Sequence, residues 1–171
     1  MAQSPEIRSL FEPILGDGSR VVRGIFFDKN PTTTNWKVPW HQDLTIAVKN
    51  RLDLPDYHPW SVKEGIPHVQ PPTAILEQML TVRIHLDRTD ESNGALKVIP
   101  GSHRQGKLSN LEIDRWKQVS TGISCNCQAG GILLLRPLLL HASSIASVPS
   151  HRRVIHLEYA GDLLPDGLEW Y

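Results

Sequence analysis

The sequence predicts a mainly β protein, a sandwich or barrel with few, short helices. Three observations carry that expectation. About eight short runs have the apolar–polar alternation or β-branched enrichment of strands. Gly, Pro and Asn turns separate them, as in barrels and sandwiches. The length of 171 residues suits one domain with a real hydrophobic core, and neither a repeat nor a linker divides it.

Ser4-Pro5 opens a short helical segment (about 4–16), a hydroxyl cap ahead of proline at the first helical position. Ile7, Leu10, Phe11, Ile14 and Leu15 form its buried face, and Gly16 ends it. Val21 to Asp28 reads as a strand and Lys29 to Pro39 as a loop. Leu44 to Lys49 reads as the next strand, with Leu44, Ile46 and Val48 on one face. His41 and Asp43, at its head, share the opposite face, and Gln42 points away from them. Asp53 to Pro72 carries five prolines and reads as a long irregular lid over the barrel mouth. Glu77 to Asp87 is a strand with Leu80, Val82, Ile84 and Leu86 on one face and Thr81, Arg83 and His85 on the other. Asn93-Gly94 marks a turn, Ala95 to Ile99 a short strand, and Pro100 to His103 a second turn; a short helix is expected near Leu111 to Lys117. Strands are expected at Thr121–Cys127, Ile132–Leu135, Leu138–Ala142 and Arg152–Tyr159, with Gly130-Gly131 turning between the first two. The tail from Gly161 reads as loop.

Acidic and basic residues balance at 18 each, and no basic run of four occurs, which argues against a nucleic-acid partner. Met1 to Ser9 lacks the apolar stretch of a signal peptide. Ile132 to Leu140 is broken by Arg136-Pro137 and is too short to span a bilayer. The expectation is a cytoplasmic protein without a membrane partner. Cys125 and Cys127, a bare C-x-C, read as reduced structural cysteines, since no second pair completes a zinc site.

The chemistry starts at His41-x-Asp43, an imidazole and a carboxylate on one face, which is half a metal site. His141, at the end of the apolar run 138–140, is the candidate third ligand, against the alternative of a core histidine satisfied by hydrogen bonds. Ser143 shares its face. Arg152 lies at the head of a strand expected to pair antiparallel with it through a turn over Ser144 to Ser150. A histidine, a hydroxyl and a guanidinium so arranged suit an anionic co-substrate, because arginine binds a carboxylate through two charge-assisted hydrogen bonds.

Trp40-His41-Gln42-Asp43, Leu80 to Asp87, Asn93-Gly94-Ala95-Leu96, Ile99-Pro100-Gly101-Ser102-His103, His141-Ala142-Ser143 and Arg152 occur in this order across roughly residues 26–170. The set resembles the phytanoyl-CoA dioxygenase family of iron(II)- and 2-oxoglutarate-dependent oxygenases. The resemblance implies a double-stranded β-helix, or cupin-like jelly-roll. It also implies His41, Asp43 and His141 as catalytic Fe(II) ligands, and Arg152 with Ser143 as binders of 2-oxoglutarate. Two imidazoles and one carboxylate leave about three positions open on octahedral iron, the pattern of oxygen-activating sites. The implied reaction converts 2-oxoglutarate to succinate and CO2 while hydroxylating a C–H bond of a small-molecule substrate, with ascorbate as a candidate reductant. Related halogenases lack the carboxylate, so Asp43 favours hydroxylation. Arg152 shares a face with Val154, His156 and Glu158, and Arg153 with Ile155, Leu157 and Tyr159; the spacing from His141 favours Arg152.

Arg83 is a further candidate for the co-substrate, with an outward, solvated arginine as the equal alternative. Trp60, His68 and Gln70, with His58, are candidate substrate contacts because they lie in the expected lid. Lys29 and Lys37 read as solvated, Trp40 as packing, and His103 as a turn residue. Only 40 residues precede His41, fewer than is usual in the family. A compact member, a partial product and a protein completed by self-association as a homo-oligomer all stand. Three function classes follow: an oxygenase, a metal- and 2-oxoglutarate-binding protein without turnover, and a metal-dependent isomerase or hydrolase, against which H-x-D speaks.

Overall fold

The computed structural model describes every residue except Pro31, Thr33, Pro149, Asp162 and Asp166. The expected loop over 29–39, turn over 144–150 and tail after Gly161 therefore each include positions outside the described residues. Among the described residues the chain forms, in order, α1 (Pro5–Leu15), β1 (Arg20–Lys29), β2 (Val38–His41), β3 (Ile46–Ala47), β4 (Trp60–Lys63), β5 (Ile66–Val69), α2 (Thr73–Glu77), β6 (Met79–His85) and β7 (Leu96–Val98). There follow α3 (Asn110–Val119), β8 (Ile123–Ser124), β9 (Ile132–Leu135), β10 (His141–Ser143) and β11 (Arg152–Ala160).

The fold is the mainly β jelly-roll expected. One sheet has the order β1-β11-β6-β9 and a second the order β2-β10-β7-β8, with a small third sheet β3-β5-β4. All the ladders are antiparallel. Strands β9, β10 and β11 fall alternately in the first, second and first sheets, so the chain winds around the barrel instead of folding back in hairpins.

That winding corrects several expectations. Arg152 does not stand beside His141 in a hairpin: β11 pairs with β1 and β6, while β10 pairs with β2 and β7. His41 lies on β2, upstream of the strand expected to carry it, and ends that strand; Asp43 lies in the connection to β3, which joins a different sheet. His141 begins its strand instead of ending one, because Arg136 to Leu139 forms a turn closed by Leu139 N–H to Arg136 O (3.0 Å). Much of the expected lid is ordered: β4 and β5 form a hairpin with Trp60 opposite Val69 and Lys63 opposite Ile66. Only Pro67 lies within these strands; it sits in β5, the middle strand of the third sheet, where its carbonyl still accepts from Val48 N–H (3.0 Å).

Helix α1 covers the outer face of the first sheet. Ile7 and Phe11 pack on Leu80, Val82, Ile84, Leu157 and Tyr159. The Phe11 and Tyr159 rings stack at 4.1 Å between centroids, and Tyr159 OH donates to Ala2 O (2.6 Å). Burial pushes the Tyr159 phenol up to about 12. The apolar stripe is narrower than its sequence pattern: Ile14 remains 45% exposed, and Ser4 makes no side-chain cap. Only Ile7 and Phe11 of this helix are buried. Phe11→Ala removes the aromatic anchor and should lower unfolding free energy by about 3–5 kcal/mol, read from denaturant midpoints.

Candidate metal centre

The first and second sheets enclose a cavity of about 160 Å³. Phe27, Arg83, Arg152 and His156 line it from one sheet; Val38, His41, Leu96, His141 and Ser143 line it from the other, with Asp43 and Trp36 from connecting segments.

His41 and His141 are opposite each other in the β2–β10 ladder, so neighbouring strands deliver both rings to one place. Each Nδ1 lies against a carbonyl two residues earlier, His41 on Pro39 O (2.9 Å) and His141 on Leu139 O (2.8 Å). A carbonyl only accepts, so both Nδ1 atoms carry the proton and both Nε2 lone pairs are free to ligate. Those two Nε2 atoms each stand 3.6 Å from an oxygen of Asp43. One donor atom from each residue falls within 4.8 Å of the others, and among the described residues this is the only such cluster. Two imidazoles and a carboxylate converging on one point fit a single divalent metal ion.

The electrostatics suit that task. Burial holds His141 down to about 4, with the charges of His41 and Arg83 adding to it, so its ring is neutral and ligand-competent. Burial pushes against Asp43 ionisation, yet the surrounding imidazoles of His41, His141 and His156 outweigh that and hold it well below the usual carboxylate range. Burial would lower His41, but Asp43 and the Pro39 carbonyl raise it overall.

Across the cavity Arg152 is 3% exposed, and its Nε and Nη1 have no hydrogen-bond partner. Arg153 points outward and grips Asp87 through Nε (2.9 Å) and Nη2 (2.7 Å). Arg83 faces inward: Nη1 donates to His156 Nδ1 (2.9 Å), the guanidinium lies 5.4 Å from the Phe27 ring centre, and Nε is buried without a partner. Because arginine can only donate, His156 carries its proton on Nε2, 3.5 Å from Glu158 Oε1. Burial lowers Arg83 and Arg152 to about 10, with Arg152 also acting on Arg83.

Lys29 was expected to be solvated and is instead fully buried at 0% exposure. Its Nζ donates to Ser143 Oγ (2.9 Å) and Ser144 O (2.5 Å), tying the end of β1 to β10. Ser143 Oγ in turn donates to Gly94 O (2.8 Å). A Cβ at Gly94 would lie 2.5 Å from Ser144 O and 3.1 Å from Lys29 Nζ, so the expected Asn93-Gly94 turn also makes room for this contact. Lysine at the last position of a strand carries no sequence mark of burial; only its register opposite Arg152 decides it.

Trp60, His68 and Gln70 are not brought to this cavity. Trp60 packs on the core under the third sheet with Arg51 over its ring at 5.5 Å. His68 lies within β5, its Nδ1 on Ile66 O (3.0 Å), and the Gln70 backbone pairs with His58 and Pro59. Trp40 packs over Gly122, and Ser102 secures the expected turn by donating to Ile99 O and accepting from Leu140 N–H, both at 2.8 Å.

A match to the phytanoyl-CoA dioxygenase (PhyH) family covers residues 1–154. The chain belongs to that family. Solved structures of similar fold include EvdMO1 (20% identity, TM-score 0.67), spanned over 96% of this chain and 32% of that one. EctD from S. alaskensis with bound Fe is 18% identical with TM-score 0.67, over 93% of this chain and 50% of EctD. HygX from Streptomyces hygroscopicus, with nickel, 2-oxoglutarate and hygromycin B bound, is 14% identical with TM-score 0.62, over 93% and 62%. The chain thus spans about a third to two thirds of these neighbours. No curated protein sequence matches it. Among the described residues no helix is long and apolar enough to cross a membrane.

The burial of Lys29 has a pH signature. Its pKa is pulled down to about 8 by burial and then by Arg152, from an ordinary 10.5. The unfolded chain therefore binds more protons between those values, and stability rises with pH there. The cost of the charged amine is fully present below about pH 8 and fades towards pH 10.5. Denaturant midpoints of wild type should climb relative to Lys29→Met over that window; parallel pH profiles would contradict the burial.

Proposed function

We propose that the chain is an Fe(II)- and 2-oxoglutarate-dependent dioxygenase that hydroxylates a small or medium organic substrate. The observation that carries the reading is the opposition, in one cavity, of the His41–Asp43–His141 cluster and the partly unpartnered Arg152 guanidinium. The cluster would hold the iron. Arg152 would take the distal carboxylate of 2-oxoglutarate, with Lys29 and Ser143 behind it and Arg83 as a second cation along the wall. When bound, iron would let dioxygen oxidise two partners, 2-oxoglutarate to succinate and CO2 and a substrate C–H bond to the alcohol, one oxygen atom going to each.

The chain's own work is to bind and orient. The Nδ1 hydrogen bonds hold both imidazoles in the ligating tautomer. Phe27, Trp36, Val38 and Leu96 give the cavity apolar walls, which suit a C–H-bearing substrate and keep water scarce at the reacting centre. Asp43 would serve as a ligand in the place that a halide needs, which favours hydroxylation.

Anaerobic addition of Fe(II) and 2-oxoglutarate should produce a metal-to-ligand charge-transfer band, and admission of oxygen with ascorbate should yield succinate. Asp43→Ala should lose the band. Arg152→Ala should raise the 2-oxoglutarate concentration needed by about 30-fold or more, the cost of roughly 2 kcal/mol or above for a lost buried charge-assisted pair. Absence of the band in wild type would remove the oxygenase reading. A metal- and 2-oxoglutarate-binding protein without turnover is the second reading, since the same cluster and guanidinium would serve binding alone. A band without succinate across a broad metabolite screen would favour it. Activity with Zn(II) or Mn(II) independent of 2-oxoglutarate would point to hydrolase or isomerase chemistry.

A further inference from the structure

The segment carrying two of the three candidate ligands is fastened from behind by the residue between them. Gln42 points away from the cavity, is 6% exposed, and uses its carboxamide three ways. Nε2 donates to Gly106 O (2.8 Å) and to Leu138 O (2.7 Å), and Oε1 accepts from Leu108 N–H (2.8 Å). The neighbouring Asp43 N–H donates to Pro137 O (2.9 Å). Side chain and backbone therefore grip the same turn, 137–138, and that turn leads directly into His141. Ser102 Oγ holds the next residue but one, Leu140, by its N–H (2.8 Å).

We propose that Gln42 is a positioning residue for the metal centre. Its carboxamide sets the separation between the His41–Asp43 segment and His141, so that the three donor atoms meet at one ion. This rests on the metal site of the proposed function and adds to it a residue that touches neither metal nor substrate.

The chemistry of the side chain makes the assignment specific. Two donors and one acceptor at the end of a two-methylene stem are what two carbonyls and one N–H require, and among the ordinary side chains glutamine alone supplies them at this reach. Glutamate has a similar shape but, ionised, would set acceptor oxygens against the Gly106 and Leu138 carbonyls. Methionine fills similar space and makes none of the three bonds. In either case the ligand segment loses its side-chain tie to the turn before His141 and keeps only the Asp43 N–H bond to Pro137 O, while the ligands themselves remain.

Co(II) binding reads this without turnover or co-substrate. Dissociation constants and d–d absorption would be measured for wild type, Gln42→Met, Gln42→Glu and the milder Gln42→Asn, alongside apoprotein melting. Phe11→Ala, which weakens the fold on the outer face of the other sheet, serves as the destabilised control. Gln42→Met and Gln42→Glu should weaken Co(II) binding by about 10- to 100-fold, as loss of groups that orient ligands typically does. Their d–d bands should shift, and Gln42→Asn should fall between them and wild type. Phe11→Ala should melt earlier with an unchanged Co(II) spectrum. Wild-type affinity and spectrum in any folded Gln42→Met, Gln42→Glu or Gln42→Asn protein would overturn this inference alone. Failure of wild type to bind Co(II) at all would overturn it together with the oxygenase reading.

Discussion

Burying Lys29, Arg83 and Arg152 around one small cavity is the constraint to which the rest of the barrel answers. An ionised side chain removed from water costs several kcal/mol unless partners replace its hydration. The barrel offers Lys29 two oxygens, and offers Arg83 an imidazole nitrogen and the Phe27 ring. Two nitrogens of Arg152 and one of Arg83 are left without partners. Asp43 is the only carboxylate lining the cavity among the described residues, and the two histidines engage it. Such a wall is costly by itself and favourable for an anion. An ion held by the proposed metal centre on the opposite wall would give that anion a second attachment.

The winding of the chain makes this opposition possible. Because strands alternate between sheets, Arg152 on β11 faces β10 across the barrel instead of lying beside it. Lys29 closes the gap from β1 to Ser143, a side-chain tie between the walls. On the second sheet, the β2–β10 ladder fixes His41 against His141, and Gln42 with the Asp43 amide fixes the segment that follows. Placement of the candidate ligands is thus the product of one backbone register and a few buried polar bonds between connecting segments.

Much of the site was legible because it depends on local alternation. His41 and Asp43 face one way and Gln42 the other, as two-residue periodicity requires, even though Asp43 lies beyond the strand. Arg152 and Arg153 separate cleanly by face, one buried in the cavity wall and one clasping Asp87 outside. Inward Arg83 follows the same rule on β6. The failures share a different character. A hairpin between β10 and β11 was the local reading, and alternation between sheets is a property of the whole winding. The proline-rich stretch 53–72 looked irregular because proline lowers strand propensity, yet a hairpin on a small third sheet tolerates it. Trp60, His68 and Gln70 went with that hairpin and away from the cavity.

By itself the sequence determined the β class, the strand faces, and the ordered His41, Asp43, His141 and Arg152 set whose resemblance points to iron and 2-oxoglutarate chemistry. These depend on residue type and on spacing within a few positions of the chain. Tertiary structure alone decided that Lys29 is buried against Ser143, that His156 receives Arg83, and that Gln42 clamps the turn before His141. Each of those contacts joins segments 73 to 114 residues apart. A side chain's partner at such distance is set by how strands cross and register, which no local pattern encodes.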